Sequence, residues 1–182
     1  MCPSRNGERG DLTLVSGGAA SGKSELAEGI ATGFGGVLVY LATMEVWDEE
    51  DRRRVDRHRT LRTGKGFVTV ERPRDLSGAE VPEGSTVLLE CLSNLTANEC
   101  FGPEGFDGAA ERILTGVDRL RRQAAHVVIV TNELFSDGLD YPEETARYLS
   151  VLAGLNCRLA RQADRVVEVV CALPVLWKGE KA

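Results

Sequence analysis

Short apolar runs rich in Val, Ile and Leu alternate along the chain with segments whose apolar positions recur every three or four residues. Short continuous apolar runs are typical of buried strands, whereas the three-to-four-residue spacing is typical of helices with one buried face. Strands that alternate with helices favour a mostly parallel sheet with helices on both faces. The pattern predicts strands at residues 12–16, 37–41, 67–71, 86–90, 127–131 and 166–170, and helices at 24–32, 48–63, 109–125 and 143–163.

The two ends of the chain and the predicted strand at residues 67–71 allow further predictions. Residues 67–71 alternate between apolar and polar positions, which favours a strand at the edge of the sheet. Residues 174–177 look like the second arm of a terminal hairpin. We expect the polar residues 1–10 to form a flexible leader, and the length of 182 residues favours one domain over residues 11–182. The predicted fold is therefore a single α/β domain.

Composition and charge narrow the class of protein. Apolar residues make up 42% of the chain and charged residues 27%, which excludes disordered, collagen-like and coiled-coil chains. The net charge of −6 argues against nucleic acid as a partner bound through bulk charge. Five scattered cysteines without a C-x-x-C pair favour reduced thiols, and no apolar run is long enough for a signal peptide or a membrane span. We therefore expect a cytoplasmic protein without a membrane span.

A glycine-rich segment between the first predicted strand and the first predicted helix matches the pattern G-x-x-x-x-G-K-[ST]. Such glycines let backbone N–H groups turn inward around phosphate oxygens, and the positive end of the following helix adds to the attraction. In this pattern the lysine reaches the β and γ phosphates and the hydroxyl ligates Mg²⁺. A merely flexible turn is the alternative, but the position between a strand and a helix favours a site for a nucleoside triphosphate and Mg²⁺. The segment consists of Gly17, Gly18, Ala19, Ala20, Ser21, Gly22, Lys23 and Ser24.

Two other predicted strands end in polar residues that belong at the same edge of the sheet. Glu90 follows the apolar run TVLL, so it is a candidate for holding the magnesium shell together with Ser24. A helix cap or a solvated strand end is the alternative for Glu90. Asn132 and Glu133 follow VVIVT, and either is a candidate for lining the site, because ligands bind at the carboxyl ends of strands in open α/β sheets.

His58 lies in an arginine-rich stretch of a chain that is acidic as a whole. Helical spacing places Arg54 and Arg62 on its face, and two further arginines flank it. Positive neighbours disfavour protonation of an imidazole, a neutral imidazole nitrogen is a nucleophile, and guanidinium groups can bind a polyphosphate. A solvated helix with ion pairs to nearby acids explains the same spacing, so the residues alone leave both interpretations open. The other histidine, His126, is expected to be an ordinary residue at the start of a strand.

Several motifs stand in a characteristic order along the chain. They are the phosphate loop SGGAASGKS, YLAT (40–43), R-V-x-x-H-x-x-x-R (54–62), LLEC (88–91) followed by LSNLTAN, VTNE (130–133) and AGLNCRLA (153–160). Together they resemble the bifunctional adenosylcobinamide kinase/adenosylcobinamide-phosphate guanylyltransferase family of cobalamin biosynthesis. The likeness runs from about Leu12 to Lys178, which is nearly the whole chain.

The resemblance implies two reactions, a fold and a set of site residues. A nucleoside triphosphate, GTP or ATP, phosphorylates adenosylcobinamide, and GTP then guanylylates that phosphate to give adenosylcobinamide-GDP and pyrophosphate. His58 would carry GMP covalently, Lys23 would serve the phosphoryl chemistry, and Glu71 would accept from guanine N–H donors or from ribose hydroxyls. The family also implies a RecA-like P-loop NTPase domain and a homo-oligomer, with trimers known. Carried over residue by residue, the nucleotide site is the loop 17–24 with Ala42, Thr43, Met44, Leu61, Arg62, Thr63, Gly64, Glu71 and Glu90, of which Ser24 and Glu90 would bind Mg²⁺.

The chain also departs from the family pattern. Ala20 stands where members often carry arginine in the phosphate loop, and Cys157 stands where glutamine is usual. The residues after His58, the segment 134–144 and the turn 172–174 differ as well, and these differences bear on the corrinoid-facing half more than on the nucleotide site. Two other functions are compatible with the residues. One is a P-loop kinase for another small alcohol without guanylyl transfer, and the other is a nucleotide-binding switch without chemistry.

Overall fold

The computed structural model describes residues 9–45, 49, 53, 64–135 and 138–180. Within these residues, the chain forms strands, α-helices and one 3₁₀ turn. The strands are β1 (Asp11–Gly17), β2 (Leu38–Ala42), β3 (Phe67–Glu71), β4 (Thr86–Glu90), β5 (His126–Val130), β6 (Arg165–Val170) and β7 (Leu173–Lys178). The helices are α1 (Lys23–Phe34), α2 (Leu92–Cys100), α3 (Ala109–Gln123) and α4 (Glu143–Gln162), and a 3₁₀ turn covers Leu76–Gly78.

The strands of the described residues form one sheet in the order β3-β2-β4-β5-β1-β6-β7. Strands β1 to β6 run parallel, and β7 runs antiparallel beside β6 as the terminal hairpin arm. β3 lies at one edge, as its alternating pattern predicts. β5 lies between β1 and β4, so the strand before the phosphate loop and the strand that ends in Glu90 are two places apart. The prediction of a mostly parallel α/β sheet is confirmed.

Helices cover both faces of the sheet, which explains why the central strands are apolar at nearly every position. On one face, α1 packs Ala27 and Ala31 against buried residues of the central strands. On the other face, α2, α3 and α4 enclose a larger core that includes Leu12 and Leu14 of β1. Alternate residues of one strand therefore enter two different cores, and both cores fix the orientation of the strand ends.

The predicted strand bounds agree with the structure to within one residue for the six parallel strands. The predicted helices at 24–32, 109–125 and 143–163 are also present, with small shifts at their ends. The predicted helix 48–63 lies outside the described residues except for Glu49 and Arg53, whose charged groups are 3.6 Å apart. Helix α2 is not predicted, because its buried positions include the polar residues Thr96 and Glu99, which obscure the apolar repeat.

The start of β1 is fixed against the end of α3. The Gly10 N–H donates to the Arg121 carbonyl over 2.6 Å, and the Arg121 guanidinium donates to the Gly10 carbonyl over 2.9 Å. These bonds hold the strand that leads into the phosphate loop. Residues 1–8 of the predicted leader lie outside the described residues. Across the described ranges, no helix combines the length and the apolar character that a membrane span requires.

Candidate active site

The phosphate-loop motif forms the turn between β1 and α1. β1 ends at Gly17, and α1 begins at Lys23. A side chain is excluded at Gly17, because its Cβ would lie 2.6 Å from the Val169 carbonyl oxygen and 2.7 Å from Ser21 Oγ. Gly22 precedes the helix with a φ of 92°, a left-handed conformation that favours glycine. Gly17 is therefore required because a side chain would clash with its neighbours, and Gly22 is required because of its left-handed backbone conformation.

The hairpin between β6 and β7 supports the phosphate loop from the side. Its two turn residues, Cys171 and Ala172, have φ angles of 50° and 63°, as a hairpin turn that matches the strand twist requires. The Ala172 N–H donates to the Ser21 carbonyl oxygen over 2.9 Å. The sequence predicts the hairpin but gives no signal for this contact, which depends on β6 lying next to β1.

Lys23 is buried although it carries a charge, with only 8% of the residue exposed. Its Nζ donates to the Gly18 carbonyl oxygen over 2.9 Å, so the amine reaches back across the loop. Burial lowers the pKa of Lys23, and the negative charge of Glu90 opposes that shift. An anionic partner stabilises a partly desolvated ammonium group, and a phosphate oxygen would be such a partner.

The two residues predicted to bind Mg²⁺ contact each other. The Ser24 hydroxyl donates to Glu90 Oε1 over 2.6 Å, and the Tyr40 hydroxyl donates to Glu90 Oε2 over 3.0 Å. Glu90 is not the cap of α2, since that position is Cys91. Ser24 and Glu90 supply the hard oxygen donors that Mg²⁺ prefers, at a separation close to the roughly 3 Å between adjacent ligands of an octahedral ion. The residues present therefore fit Mg²⁺.

The segment after β2 is held beside Glu90 by the buried hydroxyl of Thr43. This hydroxyl lies 3.1 Å from the Glu90 carbonyl and accepts from the Cys91 N–H over 2.8 Å. The Asn98 amide of α2 in turn donates to the Thr43 carbonyl over 2.7 Å. The predicted nucleotide-binding segment therefore lies at the same strand ends as Glu90. It consists of half-buried Ala42, buried Thr43 and half-buried Met44.

The polar residues after β5 lie beside the phosphate loop, at the strand end where they are expected. The Glu133 N–H donates to the Gly17 carbonyl over 3.1 Å. The Asn132 amide donates to Ser93 Oγ over 2.5 Å, and that oxygen lies 3.1 Å from Cys91 Sγ. Burial raises the pKa of Cys91, which keeps its thiol protonated. Ser93 is not among the predicted site residues, because it lies on α2, which the hydrophobic pattern does not predict.

The remaining predicted residues lie apart from this cluster or outside the described part of the chain. Glu71 is exposed at the end of β3 and pairs in register with Ala42, whose other neighbour is Glu90. Gly64 is exposed and has a φ of 86°. The residues that lie outside the described ranges, and whose roles stay predictions, are His58, Leu61, Arg62 and Thr63.

Comparison with known proteins adds information that the geometry does not contain. A family model described as CobU, "Cobinamide kinase / cobinamide phosphate guanyltransferase", matches residues 13–176. The bifunctional adenosylcobalamin biosynthesis protein CobP of Pseudomonas aeruginosa is 33% identical over 172 residues, covering 92% of this chain and 97% of that protein. The bifunctional adenosylcobalamin biosynthesis protein CobU of Salmonella typhimurium is 33% identical over 183 residues, covering 92% and 99%.

Two solved structures resemble the fold at low sequence identity. The flagellar accessory protein FlaH of Methanocaldococcus jannaschii aligns with a TM-score of 0.52 at 14% identity, covering 95% of this chain and 80% of that chain. The Pyrococcus horikoshii OT3 protein PH0250 aligns with a TM-score of 0.52 at 11% identity, covering 96% and 89%. These likenesses concern the fold alone, a mostly parallel α/β sheet with helices on both faces. With the match over residues 13–176 and relatives that are 33% identical, the chain belongs to the CobU family of cobinamide kinases / cobinamide phosphate guanyltransferases.

Proposed function

We propose that this chain phosphorylates adenosylcobinamide with GTP or ATP and then transfers GMP from GTP to the new phosphate, giving adenosylcobinamide-GDP. The family description names a kinase and a guanyltransferase for cobinamide. The observation that carries the proposal is the contact between Ser24 and Glu90 beside the buried Lys23. These groups are the ones that bind a triphosphate with its Mg²⁺ in P-loop enzymes.

In the kinase step, the acceptor hydroxyl oxygen attacks the γ-phosphorus of the nucleotide. The bond from that phosphorus to the bridging oxygen breaks, the nucleoside diphosphate leaves, and the hydroxyl proton passes to water. The N–H groups of the loop and the positive end of α1 would hold the phosphates. Lys23 would exchange the Gly18 carbonyl for a phosphate oxygen and stabilise the negative charge that develops during transfer.

Ser24 and Glu90 would hold Mg²⁺ in this site. Bound there, the ion would supply positive charge that offsets the negative charge of the phosphates. Tyr40 fixes one carboxylate oxygen of Glu90, so the other oxygen is already directed at Ser24. Because these groups are ordered before the ligand binds, less conformational entropy is lost on binding.

We assign the second reaction to His58. An imidazole nitrogen would attack the α-phosphorus of GTP, forming a P–N bond while the P–O bond to pyrophosphate breaks. A phosphate oxygen of the corrinoid would then attack the same phosphorus and break the P–N bond, which returns the imidazole. The arginines around His58 support this role, because they favour a neutral imidazole and attract phosphates.

The nucleotide would lie along the carboxyl edge of the sheet, with its phosphates on the loop. Its base and ribose would extend toward the ends of β2 and β3, where Glu71 would accept from guanine N–H donors or from ribose hydroxyls. The other residues to which we assign nucleotide contacts are the loop residues 17–22, Ala42, Thr43, Met44, Leu61, Arg62, Thr63 and Gly64.

We also propose a cytoplasmic homo-oligomer, with three copies as the family resemblance implies. Strand β7 supports an oligomer, because Leu173 and Trp177 are each 69% exposed on an edge strand. Exposed apolar edge strands are normally covered by another element or by another subunit. Size-exclusion chromatography with light scattering should give a mass above one chain, and Trp177→Glu should lower it. A monomer mass for the unmodified protein would contradict the oligomer.

Intact-mass spectrometry after exposure to GTP and Mg²⁺ tests the transferase half of the proposal. We expect one added GMP that is lost in acid and kept in alkali, as a phosphoramidate of histidine should behave. His58→Asn should abolish the adduct. His126→Asn is the matched control and should keep it, because His126 begins β5 and stacks on Phe34 with ring centroids 3.9 Å apart.

Chromatography of the corrinoid products separates the two reactions. Formation of a phosphorylated corrinoid without a GMP adduct on the protein would support the kinase activity and contradict the transferase activity. GTP binding without any corrinoid product would overturn both activities and leave a nucleotide-binding switch. Formation of adenosylcobinamide-GDP by the unmodified protein, but not by His58→Asn, is the result that we expect.

A further inference from the structure

A cleft of about 490 Å³ lies on the face of the sheet that α2 and α3 cover, and it has no role in the mechanism above. It is bordered by the 3₁₀ turn, the second half of α2 and the first turns of α3. Its volume is in the range of small-molecule sites. The residues that matter for its chemistry are Arg74, Asp75, Asn98, Glu99, Glu104, Glu111, Arg112 and Thr115.

The two guanidinium groups in this cleft are engaged with protein acceptors. Arg112 donates from Nε to Glu99 over 2.7 Å and from Nη2 to the Gly105 carbonyl over 2.9 Å. Arg74 pairs with Glu45 at 2.9 Å. An incoming anion would therefore have to displace carboxylates that already hold these cations, which disfavours a second phosphate in the cleft.

The remaining polar groups of the cleft are mainly acceptors. The Asn98 amide uses its nitrogen to donate to the Thr43 carbonyl over 2.7 Å and to the Pro73 carbonyl over 2.9 Å. Both amide hydrogens are thus used, and the side-chain oxygen is what Asn98 offers to a ligand. Three of the four carboxylates that line the cleft are in ion pairs, Asp75 with Arg72, Glu99 with Arg112 and Glu111 with Arg158. Each carboxylate still has more lone pairs than its present bonds occupy. A ligand that fits therefore carries N–H donors.

The cleft is connected to the phosphate site through a short series of contacts. Asn98 binds the Thr43 carbonyl, and the Thr43 hydroxyl lies 3.1 Å from the carbonyl of Glu90. Glu90 in turn contacts Ser24 of the phosphate loop. A molecule in the cleft therefore lies at the same edge of the sheet as the transferred phosphate. A corrinoid is larger than 490 Å³, so only part of it would enter.

We infer that this cleft binds carboxamide side chains on the rim of the corrin ring and so positions the hydroxyl that is phosphorylated. The inference rests on the proposed function, which supplies the corrinoid as the acceptor. Primary amides present N–H donors that match the acceptors of the cleft, which are the Asn98 side-chain oxygen and the remaining lone pairs of the carboxylates. A corrinoid with carboxylates in place of these amides would be repelled.

Calorimetric binding of adenosylcobinamide to the full chain tests this inference. Thr115→Arg fills the cleft from an exposed helix position and should raise the dissociation constant at least about tenfold, while leaving that for GTP within about twofold. Ser150→Arg, at an exposed position of α4 outside the cleft, is the matched control and should change neither constant. Glu104→Lys should weaken corrinoid binding in the same direction, whereas Glu83→Lys, on the exposed turn before β4, should not.

A second arm compares adenosylcobinamide with its counterpart in which the side-chain amides are hydrolysed to carboxylates. The unmodified protein should bind the carboxylate form at least about tenfold more weakly, and Glu104→Lys should reduce that difference. If both cleft variants bind and phosphorylate adenosylcobinamide as the unmodified protein does, the cleft assignment is overturned and the proposed function stands. If the unmodified protein binds GTP but neither binds nor phosphorylates the corrinoid, both are overturned.

Discussion

Glu90 and Glu71 occupy equivalent places in the sequence pattern but different surroundings in the fold. Each is the last residue of a five-residue strand, and the two pair in register with Ala42 from opposite sides. Glu90 is half-buried and accepts from Ser24 and Tyr40. Glu71 is exposed at the end of an edge strand. The same local pattern thus gives one acid in contact with the phosphate loop and one that faces solvent.

Strand order accounts for this difference. β4 lies two places from β1, and its carboxyl end meets the start of α1, whereas β3 lies four places from β1. An acid after an apolar strand therefore indicates the carboxyl edge of the sheet, and the topology decides which acid contacts the phosphate loop. We expect substitutions near Glu90 to affect turnover and stability, and substitutions near Glu71 to affect the choice of nucleotide.

Lys23→Met should have the largest effect. The change removes the charged group that would stabilise the transferred phosphate, so we expect kinase turnover to fall by roughly 10²–10³-fold. A coupled assay of nucleoside diphosphate release measures this rate. Lys178→Met is the matched control, because Lys178 donates to carbonyls at the end of α4 and should leave turnover within about twofold. Equal losses in both variants would contradict a specific role for Lys23.

Glu90→Gln should have the next largest effect on turnover. The amide keeps the shape of the side chain but lacks the charge that holds Mg²⁺, so turnover should fall by about 100-fold and half-maximal activity should need more Mg²⁺. A titration of kinase activity with Mg²⁺ measures both quantities. If a tenfold excess of Mg²⁺ does not restore part of the lost turnover, Glu90 acts on folding rather than on binding of the ion. A thermal melt of the variant distinguishes these two roles.

Thr43→Val tests whether the region around Glu90 is also the more constrained part of the fold. Removing this buried hydroxyl leaves the Cys91 N–H without its partner, which should cost about 1–3 kcal/mol of unfolding free energy. Thr69→Val makes the same substitution on exposed β3 and should change stability by less than about 0.5 kcal/mol. Urea denaturation of both variants measures the difference. Equal destabilisation would contradict the contrast between the two strand ends.

Much of the fold could be predicted from the sequence, because the strands are buried on both faces and their apolar runs are continuous. β3 could even be placed at an edge, since its alternation shows that one face meets solvent. Helix α2 could not be predicted in this way, because the polar Glu99 is buried in it and paired with Arg112 at 2.7 Å. This pair joins two consecutive helices, and it leaves no signal in the hydrophobic pattern of either helix.

The candidate site was predictable where one continuous motif specifies it and less so where elements meet. The phosphate loop follows from its own glycines, and Glu90 follows from its strand end. The support that Ala172 gives to Ser21 depends on β6 lying beside β1, which no local pattern encodes. Ser93 was missed for the same reason, since its contact with Asn132 joins α2 to the end of β5.

Glu71→Gln should have the smallest effect and separates the two roles that remain open for this residue. An exposed hydrogen bond to the nucleotide contributes on the order of 1 kcal/mol, so KM should rise by less than about tenfold with kcat unchanged. If Glu71 accepts from guanine N–H donors, KM should rise for GTP and not for ATP. If it accepts from ribose hydroxyls, KM should rise alike for both nucleotides. Steady-state kinetics with the two nucleotides measure this, and a fall in kcat as large as that of Glu90→Gln would mean that the ends of β3 and β4 are not functionally distinct.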